Sequence, residues 1–137
     1  MIFKQFLFAG GAIAVTVLVH AVFAVIVRGL RGTAPGQASG DLSGVVQLVV
    51  ISLWLIAAHC ISAAVWAAIY WYTGTSGSVE EALYFALSTY TTLGFGDIVA
   101  PVEWRLLTGL SSLNGLLMFG LSAAILVDAA VWLRRAD

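Results

Sequence analysis

The residues with the most specific chemistry lie in one short run, Thr91-Thr92-Leu93-Gly94-Phe95-Gly96-Asp97. What this run offers is backbone rather than reactive side chains. Gly94 and Gly96 permit backbone angles that other residues resist, so successive carbonyls can all turn toward one axis. A ring of such carbonyls replaces the water around a bare cation. Just upstream, Ser78-Val79-Glu80-Glu81 has the Ser-x-x-Glu spacing of a capping box, which starts a helix. Glu80 and Glu81 fall in its first turn, where the helix dipole favours negative charge. The helix predicted over 78–90 is roughly 20 Å long, too short to cross a bilayer but long enough to dip halfway. Its negative C-terminal end then faces the carbonyl run, where a cation benefits. Such a dip exists at membrane depth only where its backbone is buried in protein or lines a watery cavity.

Three apolar runs must hold that segment in place. The chain has 137 residues, 61% hydrophobic and 9% charged, whereas soluble domains run to about 25% charged. A hydrocarbon core of roughly 30 Å takes about 20 helical residues, and Phe6–Val27, Val45–Trp71 and Leu106–Leu133 each reach that length, with Asp128 their only charge. The first run is too long for the apolar region of a signal peptide. Arg28 to Gly44, rich in Gly, Ser and Ala, reads as a flexible connector. Six Lys plus Arg against seven Asp plus Glu leave a net charge of −1, which gives no basic surface for nucleic acid. A single cysteine, Cys60, excludes an intrachain disulfide framework and a Cys-rich metal site. Arg28, Arg31, Arg134 and Arg135 outweigh Lys4 and Arg105 on the other side, so the N-terminus is expected outside and the C-terminus in the cytoplasm.

Thr91-Thr92-Leu93-Gly94-Phe95-Gly96-Asp97 resembles the T-T-V-G-Y-G-D signature of potassium channels. Ala82-Leu83-Tyr84-Phe85-Ala86-Leu87-Ser88-Thr89 looks like their pore helix. The resemblance covers Val45 to Leu133 and implies an all-α membrane protein. Its three transmembrane helices accompany a re-entrant pore helix and a selectivity-filter loop, in a homotetrameric pore. By that resemblance the carbonyls of Thr92, Leu93, Gly94 and Phe95 bind potassium, the Thr92 hydroxyl adds the innermost site, and Gly96 and Asp97 shape the outer mouth. One such strand cannot surround an ion, so four chains about a four-fold axis are implied. The implied domains are an extra helix (1–28), a cytoplasmic linker (29–44) and a pore domain (45–137). Within the last, the outer helix takes 45–71, the pore helix 78–90, the filter 92–97 and the inner helix 104–133. Leu93 stands where Val is commoner, and Phe95 lacks the hydroxyl of the usual Tyr. Ser88 stands where some channels keep a carboxyl to partner the Asp97 equivalent. The expectation is therefore a filter held more by packing of Tyr84, Phe85 and Phe95 than by hydrogen bonds.

Other residues carry two readings each. Glu80, Glu81, Asp97 and Glu103, against Arg105, either concentrate cations at the entrance or are ordinary solvated charges. Asn114 faces the cavity below the filter or bonds to a neighbouring helix. Gly115, with Gly120 as second choice, is a hinge of the inner helix or a packing notch. Asp128 faces the pore or pairs with Arg135. His20 and His59 are proton sensors or neutral packing residues; His59 shares a polar stripe with Ser52, Ser62 and Trp66. Cys60 reads as a small packing residue, and three of Trp54, Trp66, Trp71, Trp104 and Trp132 suit an aromatic belt. Without an Arg ladder, the first helix is no voltage sensor. The resulting expectation is a passive potassium channel of the plasma membrane, in keeping with a bacterial inner membrane, with lipid and its own copies as partners. It needs no cofactor beyond the permeant ion and does no enzymatic chemistry. The alternatives are a weakly selective cation pore, a membrane subunit of a cation transporter, and a non-conducting module of a larger channel.

Overall fold

A computed structural model describes residues 2–30 and 41–134, and the described residues are helical with no strand. In chain order they form α1 (Ile2–Leu30), α2 (Asp41–Tyr72), α3 (Val79–Tyr90) and α4 (Arg105–Arg134), with a 3₁₀ turn at Val102–Trp104 before α4. Ile2–Gly29, Gly44–Tyr72 and Val102–Leu133 are long and apolar enough to cross a membrane. The protein is an all-α, multi-pass membrane protein. Each long helix overruns its predicted span by up to a turn at an end. α1 and α2 each begin four residues early, and at α2 the added residues, Asp41 to Gly44, are ones read from sequence as connector. A helix longer than the hydrocarbon is thick carries its extra turns into the headgroups. At its other end the predicted linker is also helical, since Gly29 and Leu30 close α1; residues 31–40, including Arg31, lie outside the described residues, as does Arg135.

A reversed amphipathicity governs packing. The buried positions of α1 are Gln5, Ala9, Ala12, Thr16, His20 and Val27, a helical stripe that is mostly small or polar. The large residues Val15, Leu18, Val22 and Val25 face outward. In lipid the apolar face gains nothing by turning inward, so close approach of small residues and interhelical hydrogen bonds decide the packed side. That stripe seats α1 against both α2 and α4 of its own chain. Gln5 Oε1 accepts the Leu107 N–H at 3.0 Å, satisfying one of the amides that the start of α4 leaves without a helical partner.

The core joins all four helices around α3. Ala9 and Ala12 of α1 meet Trp66, Ala67 and Tyr70 of α2, Phe85 and Tyr90 of α3, and Leu107 and Met118 of α4. Tyr70 and Phe85 meet edge to face at 4.8 Å, a favourable aromatic geometry. A second cluster of Val27, Ile51, Leu55 and Ala129 closes the other end of the bundle. Gly115 marks the closest approach of α3 and α4, since a Cβ there would collide with the Tyr90 carbonyl. The helix is continuous through Gly115, and the space beside Gly120 is open.

Candidate functional site

The short helix α3 is built as its sequence dictates. Ser78 caps it, its hydroxyl accepting the Glu81 N–H at 3.1 Å, while the Glu81 carboxylate accepts the Gly77 N–H. At the other end the chain turns back on itself at once. Thr91 N–H donates to Leu87 O at 3.0 Å, Thr92 N–H to Thr89 O at 3.0 Å, and Gly94 N–H to Ser88 O at 3.1 Å. Thr91 and Thr89 add hydroxyl bonds to the Leu87 and Phe85 carbonyls, at 2.7 and 2.9 Å. The last turn of α3 therefore anchors the first half of the run that follows it.

That run has an alternating backbone. Thr92, Gly94 and Gly96 have φ of 62°, 56° and 81°, so every second residue is left-handed. Glycine enters that region freely. Threonine does not, and holding it there costs on the order of 1–3 kcal/mol. Alternation of this kind turns successive peptide planes so that their carbonyls share one side. Leu93 and Phe95, between the left-handed positions, are 60% and 65% exposed. Every residue from Thr91 to Asp97 is exposed in the single chain.

Asp97 adds a hydrogen bond to the packing expected from the sequence. The Tyr84 hydroxyl donates to Asp97 Oδ2 at 2.6 Å, and Asp97 Oδ1 accepts the Ile98 N–H at 3.1 Å. The Tyr84 hydroxyl is the chief cause holding this carboxyl below the usual aspartate range, and the same bond raises the Tyr84 phenol. Within one chain a hydrogen bond thus ties the end of the run to α3. Phe85 packs on Tyr70, and Phe95 stands clear of the core. The physical reason is reach. Tyr84 lies one turn before Ser88 on the same face of α3, and its longer side chain carries a hydroxyl out to the carboxylate. Ser88 contributes through its backbone, as the acceptor for Gly94.

Behind the run, Ser88, Thr89, Thr92, Gly94, Thr108, Gly109 and Ser112 line a cleft of about 270 Å³. Ser112 of α4 donates to the Thr89 carbonyl at 2.8 Å across it. The model of the ion channel family matches residues 49–131, more than half of the chain. The chain belongs to the ion channel family. No curated protein and no solved structure matches it. The match begins inside α2 and ends inside α4, so it contains α3 and the glycine run and leaves α1 outside.

The remaining predicted positions divide into groups. In this channel chain Glu80 and Glu81 open α3 and Glu103 sits in the 3₁₀ turn; no bond brings these three to Asp97. Asn114, a cavity candidate by sequence, is buried and faces its own chain. Its Oδ1 accepts from the Thr16 hydroxyl of α1 at 2.9 Å and from Trp66 Nε1 of α2 at 3.0 Å. Asp128 lies near the end of α4 and, with Ala24 and Arg28 of α1, lines a cleft of about 140 Å³. His20 and His59 meet edge to face with ring centroids 4.7 Å apart. Among the described residues no group of three or more His, Cys, Asp or Glu could hold a metal ion. Sequence reasoning passed over Tyr90, Tyr84 as a hydrogen-bond donor, and Thr16. The available signal was position: Tyr90 directly precedes the run, and Thr16 lies one turn before His20.

Proposed function

We propose that four copies of this chain form a passive, potassium-selective channel. The observation that carries this reading is the left-handed alternation at Thr92, Gly94 and Gly96, directly beyond the C-terminal end of α3. Four such strands around an axis present rings of carbonyls from Thr92, Leu93, Gly94 and Phe95, which replace the hydration shell of a potassium ion. The four α3 C-termini add their dipoles to the same point. The exposure of Leu93 and Phe95 fits side chains covered only by neighbouring copies. Asp97, kept ionised by Tyr84, together with Glu80, Glu81 and Glu103, concentrates cations at the outer mouth. Residues 45–137 serve as the pore domain, with the N-terminus outside and the C-terminus in the cytoplasm, in a plasma membrane. The permeant ion is cargo, and no cofactor takes part.

The test is the reversal potential of purified protein in planar bilayers with potassium on one side and sodium on the other. A value near the potassium Nernst limit is expected. A value near zero with robust current replaces this reading with that of a weakly selective cation pore, and absence of current from assembled protein favours a non-conducting module.

A further inference from the structure

A polar chain, buried at His20 and half-buried at His59, runs from α1 to the base of the candidate filter, and ion coordination makes no use of it. It begins at His20, fully buried on α1. His20 Nδ1 is 2.9 Å from the Thr16 carbonyl oxygen, which can only accept, so Nδ1 carries the hydrogen. In the neutral ring Nε2 then holds a lone pair, and this nitrogen is buried with no partner. The next link is His59 on α2, met edge to face. His59 is gripped on its other sides, with Nδ1 3.2 Å from the Tyr90 hydroxyl and Nε2 3.0 Å from Ser122 Oγ of α4. The Phe119 ring stacks on it at 4.2 Å. Tyr90 is the last residue of α3. Its hydroxyl rests on His59 and its carbonyl on Gly115, and Thr92 with its left-handed backbone comes two residues later. A tyrosine held at both ends passes its displacements to Thr92 with little slack.

We propose that His59 is a positioning residue for the candidate filter, set from α1 by His20, and that a proton taken up by His59 releases it. The proposal rests on the channel reading above. The titratable groups facing His59 are His20 from α1 and Tyr90 from α3. From α4 it meets Phe119 and Ser122, and on its own helix Cys60 is exposed. No carboxylate is among the described groups bonded to or stacked on the pair. Asp128 is six residues beyond Ser122 on α4, about 9 Å along the helix. A proton landing on His59 makes both of its nitrogens donors, so whichever hydroxyl donated to the neutral ring, that of Tyr90 or of Ser122, must turn. Either turn alters how the ring holds Tyr90. A charge buried without a counter-ion is costly enough to move helices.

The experiment uses the full chain in lipid vesicles at about pH 8 and about pH 3.5, the lower value set well below the ordinary histidine range because a partly buried ring without a counter-ion resists protonation. Two quantities are read: hydrogen exchange at the Thr91, Thr92 and Gly94 amides, corrected for intrinsic rate, and the potassium-over-sodium permeability ratio. In the unaltered protein, acid is expected to speed exchange and lower the ratio by roughly three- to tenfold, the worth of one hydrogen bond. His59→Gln keeps a polar side chain beside Tyr90 and Ser122 but takes up no proton, so both readings should lose most of their pH dependence. Tyr90→Phe should show the acid-like readings at both pH values. Exchange that is the same at both pH values in the unaltered protein overturns the proposal, and so does Tyr90→Phe with protection and selectivity intact. Selective current with pH-independent exchange removes the proposal and keeps the channel. Acid-sensitive exchange without current does the reverse for the conduction reading and leaves the positioning role of His59 standing.

Discussion

The two ends of the run from Thr91 to Asp97 are held in opposite ways. At the Asp97 end, the exposed Tyr84 hydroxyl donates to an exposed carboxylate, and Leu93 and Phe95 stand uncovered. At the Thr91 end, Tyr90 is 1% exposed, its carbonyl lies on Gly115, and buried bonds from α1 and α2 converge on Asn114 next to it. An exposed hydrogen bond is weakened by competing water, whereas a buried polar group left without its partner costs its full desolvation. One chain thus fixes the base of the run by itself and leaves the rim uncovered, the part that neighbouring copies would complete in the proposed tetramer. The two ends should therefore answer very differently to single substitutions.

The largest effect is expected at Gly115. An alanine there meets a backbone carbonyl, not the movable tip of a side chain, so α3 and α4 must separate. Overpacking of this kind costs about 1–3 kcal/mol, and the rigid neighbour puts Gly115→Ala at the upper end. The thermal midpoint of the purified protein should fall by several degrees, and the Thr91 and Thr92 amides should lose protection. Gly120→Ala, with open space beside it, serves as the control. A substitution at Gly115 that leaves the midpoint unchanged would show that the base is not rigid, and the contrast between the two ends would collapse.

Asn114 tests the same end through its hydrogen bonds. Asn114→Leu keeps the volume and leaves the Trp66 indole N–H buried without an acceptor, while the Thr16 hydroxyl retains the Ile13 carbonyl at 3.0 Å. The expected loss is about 1–2 kcal/mol of stability, read as a lower unfolding midpoint with an altered Trp66 fluorescence environment. Asn114→Asp, which keeps the acceptor but buries a carboxyl, separates the bond from the shape. If Asn114→Leu is neutral, the network around α1 is incidental and the base is held by packing alone.

Much of this was legible in the sequence, and what was not has a common cause. The three spans follow from uninterrupted apolar length, and α3 from the capping box at Ser78 and Glu81. The left-handed positions Gly94 and Gly96 follow from residue type. Left-handed Thr92 does not, because threonine has no preference that would announce it. A helix apolar nearly all round has no periodic polar face to mark its packed side, so neither Asn114 nor Gly115 could be assigned a neighbour by pattern. The stripe of Gln5, Ala9, Ala12, Thr16 and His20 did carry that information, but only once small and polar residues are read as the inward ones. The Tyr84–Asp97 bond escaped because Ser88 sits at the familiar partner position, and a side chain one turn earlier with greater reach took its place.

The smallest effect belongs to the rim. Tyr84→Phe removes the hydroxyl that chiefly holds the Asp97 carboxyl below its ordinary range. Because the folded-state value is depressed, the bond's contribution is present above the ordinary aspartate pKa of about 4 and fades as pH falls through the depressed value. In Tyr84→Phe the carboxylate therefore neutralises at a higher pH than in the unaltered protein. Stability at neutral pH should barely change, since both partners are exposed and screened. Inward cation current measured against outer pH should show its acid-side decline displaced toward neutral, with the neutral-pH current nearly intact. Asp97→Asn abolishes the displacement and lowers the current at low salt, where surface charge attracts ions most strongly. A collapse of selectivity in Tyr84→Phe at neutral pH would mean that the rim, too, is set within one chain, and the difference between the two ends would be one of degree only.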